Sequence, residues 1–129
     1  FALAAKAARP DAEVWLLYGD GAAAWSLAEL DTMVRHKLPC IAVIGNNGSW
    51  AQIAREQVEI LKDDVGTVLR HNAYHTVAEG YGAKGLLVER PEDVPAVLAE
   101  AKRLAAEGHP VVVNAMITDT DFRKGSISI

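Results

Sequence analysis

The chain has 129 residues, of which 50% are hydrophobic and 23% charged, a balance typical of one packed domain and not of a disordered chain. Its formal net charge is −4, and its basic residues form no dense cluster, which argues against nucleic acid as a partner. No apolar run reaches the roughly 18 residues of a membrane-spanning helix, and the single cysteine, Cys40, excludes an internal disulfide and favours a reducing, cytoplasmic compartment.

Short apolar runs alternate with helical patterns along the chain. In chain order, the patterns predict helix 1–9, strand 13–18, helix 24–37, strand 40–45, helix 49–56, an irregular segment 57–72, helix 74–82, strand 85–89, a helix from about 91 to 107 and strand 110–117. The strand runs are nearly continuous in apolar residues, as in parallel strands buried on both faces. The sequence therefore predicts an α/β fold, a parallel sheet with helices on both faces.

The same patterns predict the domain boundaries. We expect one domain over residues 1–117, followed by a polar C-terminal tail over 118–129. Because the chain opens at Phe1 with a helix already under way, we expect the domain to be N-terminally incomplete and the chain to be a piece of a longer polypeptide.

Polar residues follow two of the predicted strands. The sequence GDG, with Asp20 at its centre, follows the first strand, and NNGS, with Asn47 second, follows the next. In open parallel sheets ligands bind at the carboxyl ends of the strands, so Asp20 and Asn47 can face one another if the two strands are neighbours. A carboxylate, an amide oxygen and a nearby backbone carbonyl suit Mg²⁺ or Ca²⁺ and not zinc.

The residues around Asp20 indicate that an anion binds beside the metal. Gly19 and Gly21 allow a tight turn and a close approach of the backbone to a ligand. The helix that begins near Ala22 offers free amide groups to an anion. Neither a GxxxxGK[ST] loop nor a GxGxxG fingerprint is present, so the pattern predicts a metal and a diphosphate without a nucleotide-binding motif.

Each of these features also has a simpler structural explanation. Asp20 alone is compatible with a turn residue or a helix cap, and the Asn pair with turn residues at a strand end. Trp50 suits a core position as well as the wall of a site. His71 and His75 lie close together, but with no cysteine nearby and no HExxH they indicate packing or capping more than a metal site.

GDG followed at this distance by NN resembles the diphosphate-binding (PP) domain of thiamine diphosphate-dependent enzymes, and the resemblance covers nearly the whole chain. The stretches GNNGSWAQIAREQ, YHTVAEGYGAKGLLV and HPVVVNAMITDTDFRKGSI are similar to the acetolactate-synthase-like and 2-hydroxyacyl-CoA lyase branch. Oxalyl-CoA decarboxylase and benzaldehyde lyase are also similar. The resemblance implies the thiamine diphosphate-binding fold, with thiamine diphosphate and Mg²⁺ as cofactors.

The resemblance implies roles for particular residues. It places the cofactor against Gly19, Asp20, Gly21, Ala22, Asn47, Ser49, Trp50 and Ala51. Asp20 and Asn47 match metal-binding side chains, and the carbonyl of Ser49 matches a third metal ligand. Trp50 and Ile53 would lie near the substrate. Pyruvate decarboxylases carry a Glu where this chain has Ile53, which argues against a simple pyruvate decarboxylase.

The implied activity is that of a lyase or carboligase acting on C–C bonds, with a small-molecule substrate: a 2-hydroxyacyl-CoA, an aldehyde or a 2-oxo acid. A 2-hydroxyacyl-CoA lyase fits best, with acetolactate synthase or benzaldehyde lyase as alternatives. No catalytic residue is assigned in this chain, because the family's activating Glu belongs to the pyrimidine-binding domain of the same or a second subunit. The isolated chain is therefore expected to be inactive, and the parent to be a homodimer or homotetramer.

A competing hypothesis from another class is a non-catalytic α/β module that serves only binding or subunit contact, since fold alone does not imply chemistry. The Asp20 and Asn47 pair discriminates between the two hypotheses, because only the enzyme requires a metal.

Overall fold

The computed structural model describes residues 1–119, which form a four-stranded parallel sheet in the order β1-β2-β4-β3. The strands are β1 (Val14–Gly19), β2 (Cys40–Asn46), β3 (Lys84–Val88) and β4 (Val111–Met116). The helices are α1 (Ala2–Ala8), α2 (Asp20–Ala24), α3 (Glu29–Arg35), α4 (Ala51–Leu61), α5 (Tyr74–Gly80) and α6 (Val94–Ala106), with a 3₁₀ turn at Pro91–Asp93. Most of the predicted tail lies outside the described residues.

Helices cover both faces of the sheet, as predicted. One core packs α1, α2, α3 and α5 against the sheet, with Leu30, Met33, Ala42, Ile44, Ala78 and Val112 among its buried residues. The opposite core packs α6 against Ile41, Val88, Val111 and Val113. Successive residues of β2 and β4 alternate between the two cores, because side chains in a strand point to opposite faces. This double burial explains why the strand sequences are apolar throughout.

The predicted helix 24–37 is wrong as one continuous element. α2 ends at Ala24 and α3 begins at Glu29. Around this break, several amides donate to the carbonyl three residues earlier, as Ser26 does to Ala23 and Glu29 to Ser26. Such bonds wind the chain more tightly than an α-helix, so the apolar spacing is preserved while the helix itself is interrupted.

The segment after the second strand also differs from the prediction. α4 does not end near Glu56 but continues to Leu61 and is closed by Lys62 in the left-handed conformation (φ 56°). None of the residues of α4 is fully buried. The spacing of apolar residues in the sequence therefore did not reveal the second half of α4, because that half packs into no core within the described residues.

Among residues 1–119, no helix combines the length and the apolar character needed to cross a bilayer.

Candidate cofactor site

The two predicted strand ends lie side by side. β1 and β2 are parallel neighbours, with Gly19 opposite Gly45. Asp20 begins α2 and is only 1% exposed. Its Oδ1 accepts the Gly21 amide at 2.9 Å, and its Oδ2 accepts the Gly48 amide at 2.8 Å. The second bond joins residues 28 apart in sequence, so the Asp20 carboxylate ties the end of β1 to the turn after β2. Gly19, not Asp20, is the N-cap of α2.

The charge of Asp20 has no cationic side chain to balance it within residues 1–119, where no ion pair includes this carboxylate. Burying an ionised carboxylate is costly unless it is paired or coordinates a metal. The two amide hydrogen bonds offset part of this cost. The arrangement therefore suits a cation bound beside Asp20.

Two more oxygens fit the predicted metal site. The Asn47 Nδ2 donates to Asp119 Oδ1 at 2.6 Å, which leaves the Asn47 Oδ1 as the side chain's remaining ligand atom. Ser49 forms an antiparallel bridge with Val68, but the residues on either side of them make its hydrogen bonds. The Trp50 amide donates to the Thr67 carbonyl, and the Leu69 amide donates to the Gly48 carbonyl, both at 2.8 Å. The Ser49 carbonyl is therefore not used by the bridge.

The donor set is a mixed one. Within the described part of the chain, no three His, Cys, Asp or Glu side chains come together as a metal cluster. A cation here would rely on one carboxylate, one amide and one carbonyl oxygen, with its remaining positions open to water or phosphate. Mg²⁺ is commonly bound in this way.

A cavity of about 1020 Å³ lies at this edge of the sheet. It is lined by every residue that the sequence places at the site: Gly19, Asp20, Gly21, Ala22, Asn47, Ser49, Trp50, Ala51 and Ile53. Sequence reasoning missed the far wall, which α4 and the end of β4 provide through Ile60, Leu61 and Ile117. Burial raises the pKa of Tyr18, which also lines the cavity, so its hydroxyl adds no charge there.

Gly21 and Trp50 are in close contact within this cavity. A Cβ atom added to Gly21 would lie 2.6 Å from the Trp50 Cδ2 atom, so only glycine leaves room for the indole. Gly19 differs, because an added Cβ would meet nothing within 4 Å and its φ is −80°. The protein itself therefore does not require glycine at position 19, and the close approach of a ligand to the Gly19 backbone stays a prediction. The Gly21 amide already donates to Asp20, and its predicted contact with a diphosphate stays a prediction.

Sequence reasoning also missed the segment 67–75, which we call the bracing segment. Besides its bonds to Trp50 and Gly48, it places the Tyr74 hydroxyl 3.4 Å from the Asp20 carbonyl, to which it donates. The His71 ring lies directly against Gly48, where an added Cβ would come within 2.9 Å of it. The only signal in the sequence was the pair of histidines, and His71 acts here by packing.

Comparison with known proteins identifies this arrangement. The sequence profile of the family described as "Thiamine pyrophosphate enzyme, C-terminal TPP binding domain" matches residues 1–115. The chain belongs to this family. The resemblance stated above is thereby confirmed, and with it thiamine diphosphate as the cofactor of the domain.

Relatives of the chain are lyases and synthases by name. A 2-hydroxyacyl-CoA lyase 2 from Bos taurus is 53% identical over 131 residues, covering all of this chain and 21% of that protein. A probable acetolactate synthase from Mycobacterium bovis is 40% identical over 117 residues, covering 90% of this chain and 21% of that protein. The chain thus spans about a fifth of the length of the relatives it matches.

A solved structure supports the fold. The thiamine diphosphate-dependent 4-hydroxybenzoylformate decarboxylase of Rhodococcus jostii RHA1 superposes with a TM-score of 0.82 at 28% identity, over 93% of this chain and 22% of that one.

Proposed function

We propose that this chain is the diphosphate- and Mg²⁺-binding domain of a thiamine diphosphate-dependent enzyme that cleaves or forms C–C bonds, and that the parent enzyme is a 2-hydroxyacyl-CoA lyase. The observation that carries the proposal is the buried Asp20 carboxylate, which has no counter-charge within the described residues and lines a large cavity together with Asn47. The relatives that are 53% identical over the whole chain bear the name of this activity.

The roles of the residues follow from their positions. Asp20, the Asn47 amide oxygen and the Ser49 carbonyl would hold Mg²⁺, which anchors a diphosphate by sharing its oxygens. Thiamine diphosphate, when bound, supplies the electron sink for the reaction. Trp50 closes over Gly21 on one side of the cavity, and Ile53 on α4 presents an apolar surface to the substrate.

The partners are proposed from an exposed apolar wall of the cavity. Ile60 and Leu61 are 76% and 63% exposed and form part of the cavity wall. Neighbouring exposed apolar residues of this kind typically mark a surface that another domain or subunit covers. We expect a pyrimidine-binding domain, from the same or a second subunit, to cover this wall and to contribute the activating Glu. The parent enzyme would then be a homodimer or homotetramer, and we place it in the cytoplasm because Cys40 is a free thiol.

One alternative has specific support. Acetolactate synthase is favoured by the 40% identical relative that covers 90% of the chain. It differs from a lyase in condensing 2-oxo acids without CoA, so assays with a 2-hydroxyacyl-CoA and with a 2-oxo acid separate the two activities.

Calorimetric titration of thiamine diphosphate, with and without Mg²⁺, into the longest natural polypeptide that contains this chain tests the proposal. Binding of thiamine diphosphate is expected to require Mg²⁺. Asp20→Ala is expected to weaken this binding by at least about 100-fold, because the loss of a metal ligand is at least as harmful as the loss of a group that orients a metal ligand. Asp11→Ala, an exposed acid outside this cavity, is the matched control. Binding without Mg²⁺, or equal loss in both variants, would contradict the metal site.

A further inference from the structure

Two buried asparagines lie beneath the metal site. Asn46 ends β2 and Asn114 lies on the neighbouring strand β4, and their side chains are 0% and 1% exposed. The Asn46 Nδ2 donates to Asn114 Oδ1 at 3.1 Å and to the Asn72 carbonyl at 3.0 Å. The Asn114 Nδ2 donates to the same carbonyl at 3.3 Å and lies 3.3 Å from His75 Nδ1. The amide of Asn114 therefore links both inner strands to the bracing segment.

The direction of each hydrogen bond is set by the next. An amide nitrogen carries only donors, so the His75 Nδ1 accepts from Asn114 and the ring proton belongs on Nε2. With its Nδ2 directed at His75 and Asn72, Asn114 must present its Oδ1 to Asn46. This chain of bonds permits one orientation of the Asn46 side chain.

This network of buried amides is energetically unfavourable compared with apolar packing. The Asn46 Oδ1 is buried and has no hydrogen-bond partner within residues 1–119. A buried polar network that is only partly satisfied is less favourable than apolar side chains of similar size. Its presence between two apolar strands therefore points to a role in positioning more than in stability.

Asn46 is joined directly to the predicted metal-binding turn. It precedes Asn47, and its carbonyl accepts the Ile117 amide at 3.0 Å. The carbonyl of Asn72, which both amides share, belongs to the bracing segment that holds Gly48. The bonds of Asn114 thus reach the turn from the strand side and from the bracing segment.

We propose that Asn114 is a positioning residue for the metal site, which acts through Asn46 and the bracing segment and touches neither metal nor cofactor. This inference rests on the proposed function, since it presumes that the turn at Asn47 binds Mg²⁺. The proposal gives a role to Asn114, the polar residue on the face of β4 that packs against α5.

Three variants of the longest natural polypeptide test the proposal. Asn114→Ala removes all bonds of the amide, whereas Asn114→Asp keeps an oxygen that accepts from Asn46 but loses the donor that faces the Asn72 carbonyl and His75. Val112→Ala is the matched control, because Val112 lies two residues away on the same face of β4 and is equally buried. The readouts are the apparent Kd for Mg²⁺ at saturating thiamine diphosphate, the Tm, and hydrogen exchange of residues 67–73 in the cofactor-free protein.

We expect Asn114→Ala to raise the Kd for Mg²⁺ about 10-fold or more, as is typical when a group that orients a metal ligand is removed. Exchange of residues 67–73 should become faster. Asn114→Asp should also raise the Kd, because it has lost the donor bonds to the bracing segment. Val112→Ala should stay within about threefold of the wild-type Kd, although it lowers the Tm by leaving a cavity.

The possible results are distinguishable. If Asn114→Ala leaves the Kd within threefold, or if Val112→Ala raises it equally, the positioning role is wrong. Should Asn114→Ala fail to fold, an Asp variant whose Kd stays within threefold of wild type would also overturn the role, because that variant has lost the donor bonds to the bracing segment. Wild-type protein that binds thiamine diphosphate without Mg²⁺ would refute the proposed metal site itself, and this inference with it.

Discussion

The contact between Gly21 and Trp50 makes the sharpest test of the site's geometry. A Cβ atom at Gly21 would lie 2.6, 2.7 and 2.8 Å from three carbons of the indole ring. Non-bonded carbons prefer separations of about 3.5–4.0 Å, so Gly21→Ala requires the ring to move by roughly 1 Å. Gly21 lies in α2 and does not have a positive φ, so the backbone accepts alanine and the collision is the whole effect.

The expected cost follows from the behaviour of overpacked sites. Inserting a methyl group into a filled space costs about 1–3 kcal/mol. The relatives are about five times as long as this chain, and a polypeptide of that size loses about 2 °C of Tm or less for each kcal/mol, so Gly21→Ala should lower the Tm by up to about 6 °C. Thermal unfolding of the longest natural polypeptide, followed by circular dichroism, measures this change.

Two further variants isolate the cause. In a Trp50→Ala background the collision is gone, so adding Gly21→Ala should change the Tm little, and the two substitutions should be strongly non-additive. Gly19→Ala is the matched control, because an added Cβ there meets nothing within 4 Å. If Gly21→Ala is as destabilising in the Trp50→Ala background as in the wild type, or if Gly19→Ala is equally harmful, the proposed contact is not the reason that residue 21 is glycine.

Two other predictions concern the fold around the site. A Cβ at Gly85 would lie 2.1 Å from the backbone oxygen of His75, so Gly85→Ala should destabilise the protein by more than about 3 kcal/mol, whereas Gly80→Ala, with nothing within 4 Å, should not; urea unfolding compares the two. Burial raises the pKa of the Cys40 thiol, so iodoacetamide should modify Cys40 slowly until the protein unfolds, and fast modification of native protein would contradict this. Because the folded state keeps this proton longer, stability should fall as pH rises above about 8.5, where the unfolded thiol ionises.

The sequence was a good guide where local pattern and burial agree. Strands β2 and β4 pack both of their faces, so their apolar runs revealed them within one residue of each end. The chemistry of the site was also readable, because Asp20 and Asn47 directly follow their strands, and strand ends meet at one edge of a parallel sheet. All of the predicted site residues line one cavity for this reason.

Prediction failed where a residue's role depends on a distant partner. The second half of α4 has an apolar face that meets no core within the described residues, so its spacing carried no clear signal. Residues 67–72 of the bracing segment were predicted as irregular and residues 74–75 as helix. Its contacts with Gly48 and Asp20 were missed because they join parts of the chain that are far apart in sequence. Asn114 was hidden inside an apolar strand, because nothing near it in the sequence shows that Asn46 is its partner.

The sequence by itself determined the alternation of strands and helices, the apolar strands and the two polar strand ends that mark the family. Periodicity and strand-end chemistry are local properties, so they can be recognised without knowledge of the fold. Only the tertiary structure decided that β2 lies between β1 and β4, and this order brings the Asp20 carboxylate to the turn after Asn47 and the Asn114 amide to Asn46. Strand order depends on the packing of the whole sheet, and so do the contacts that hold the site in place.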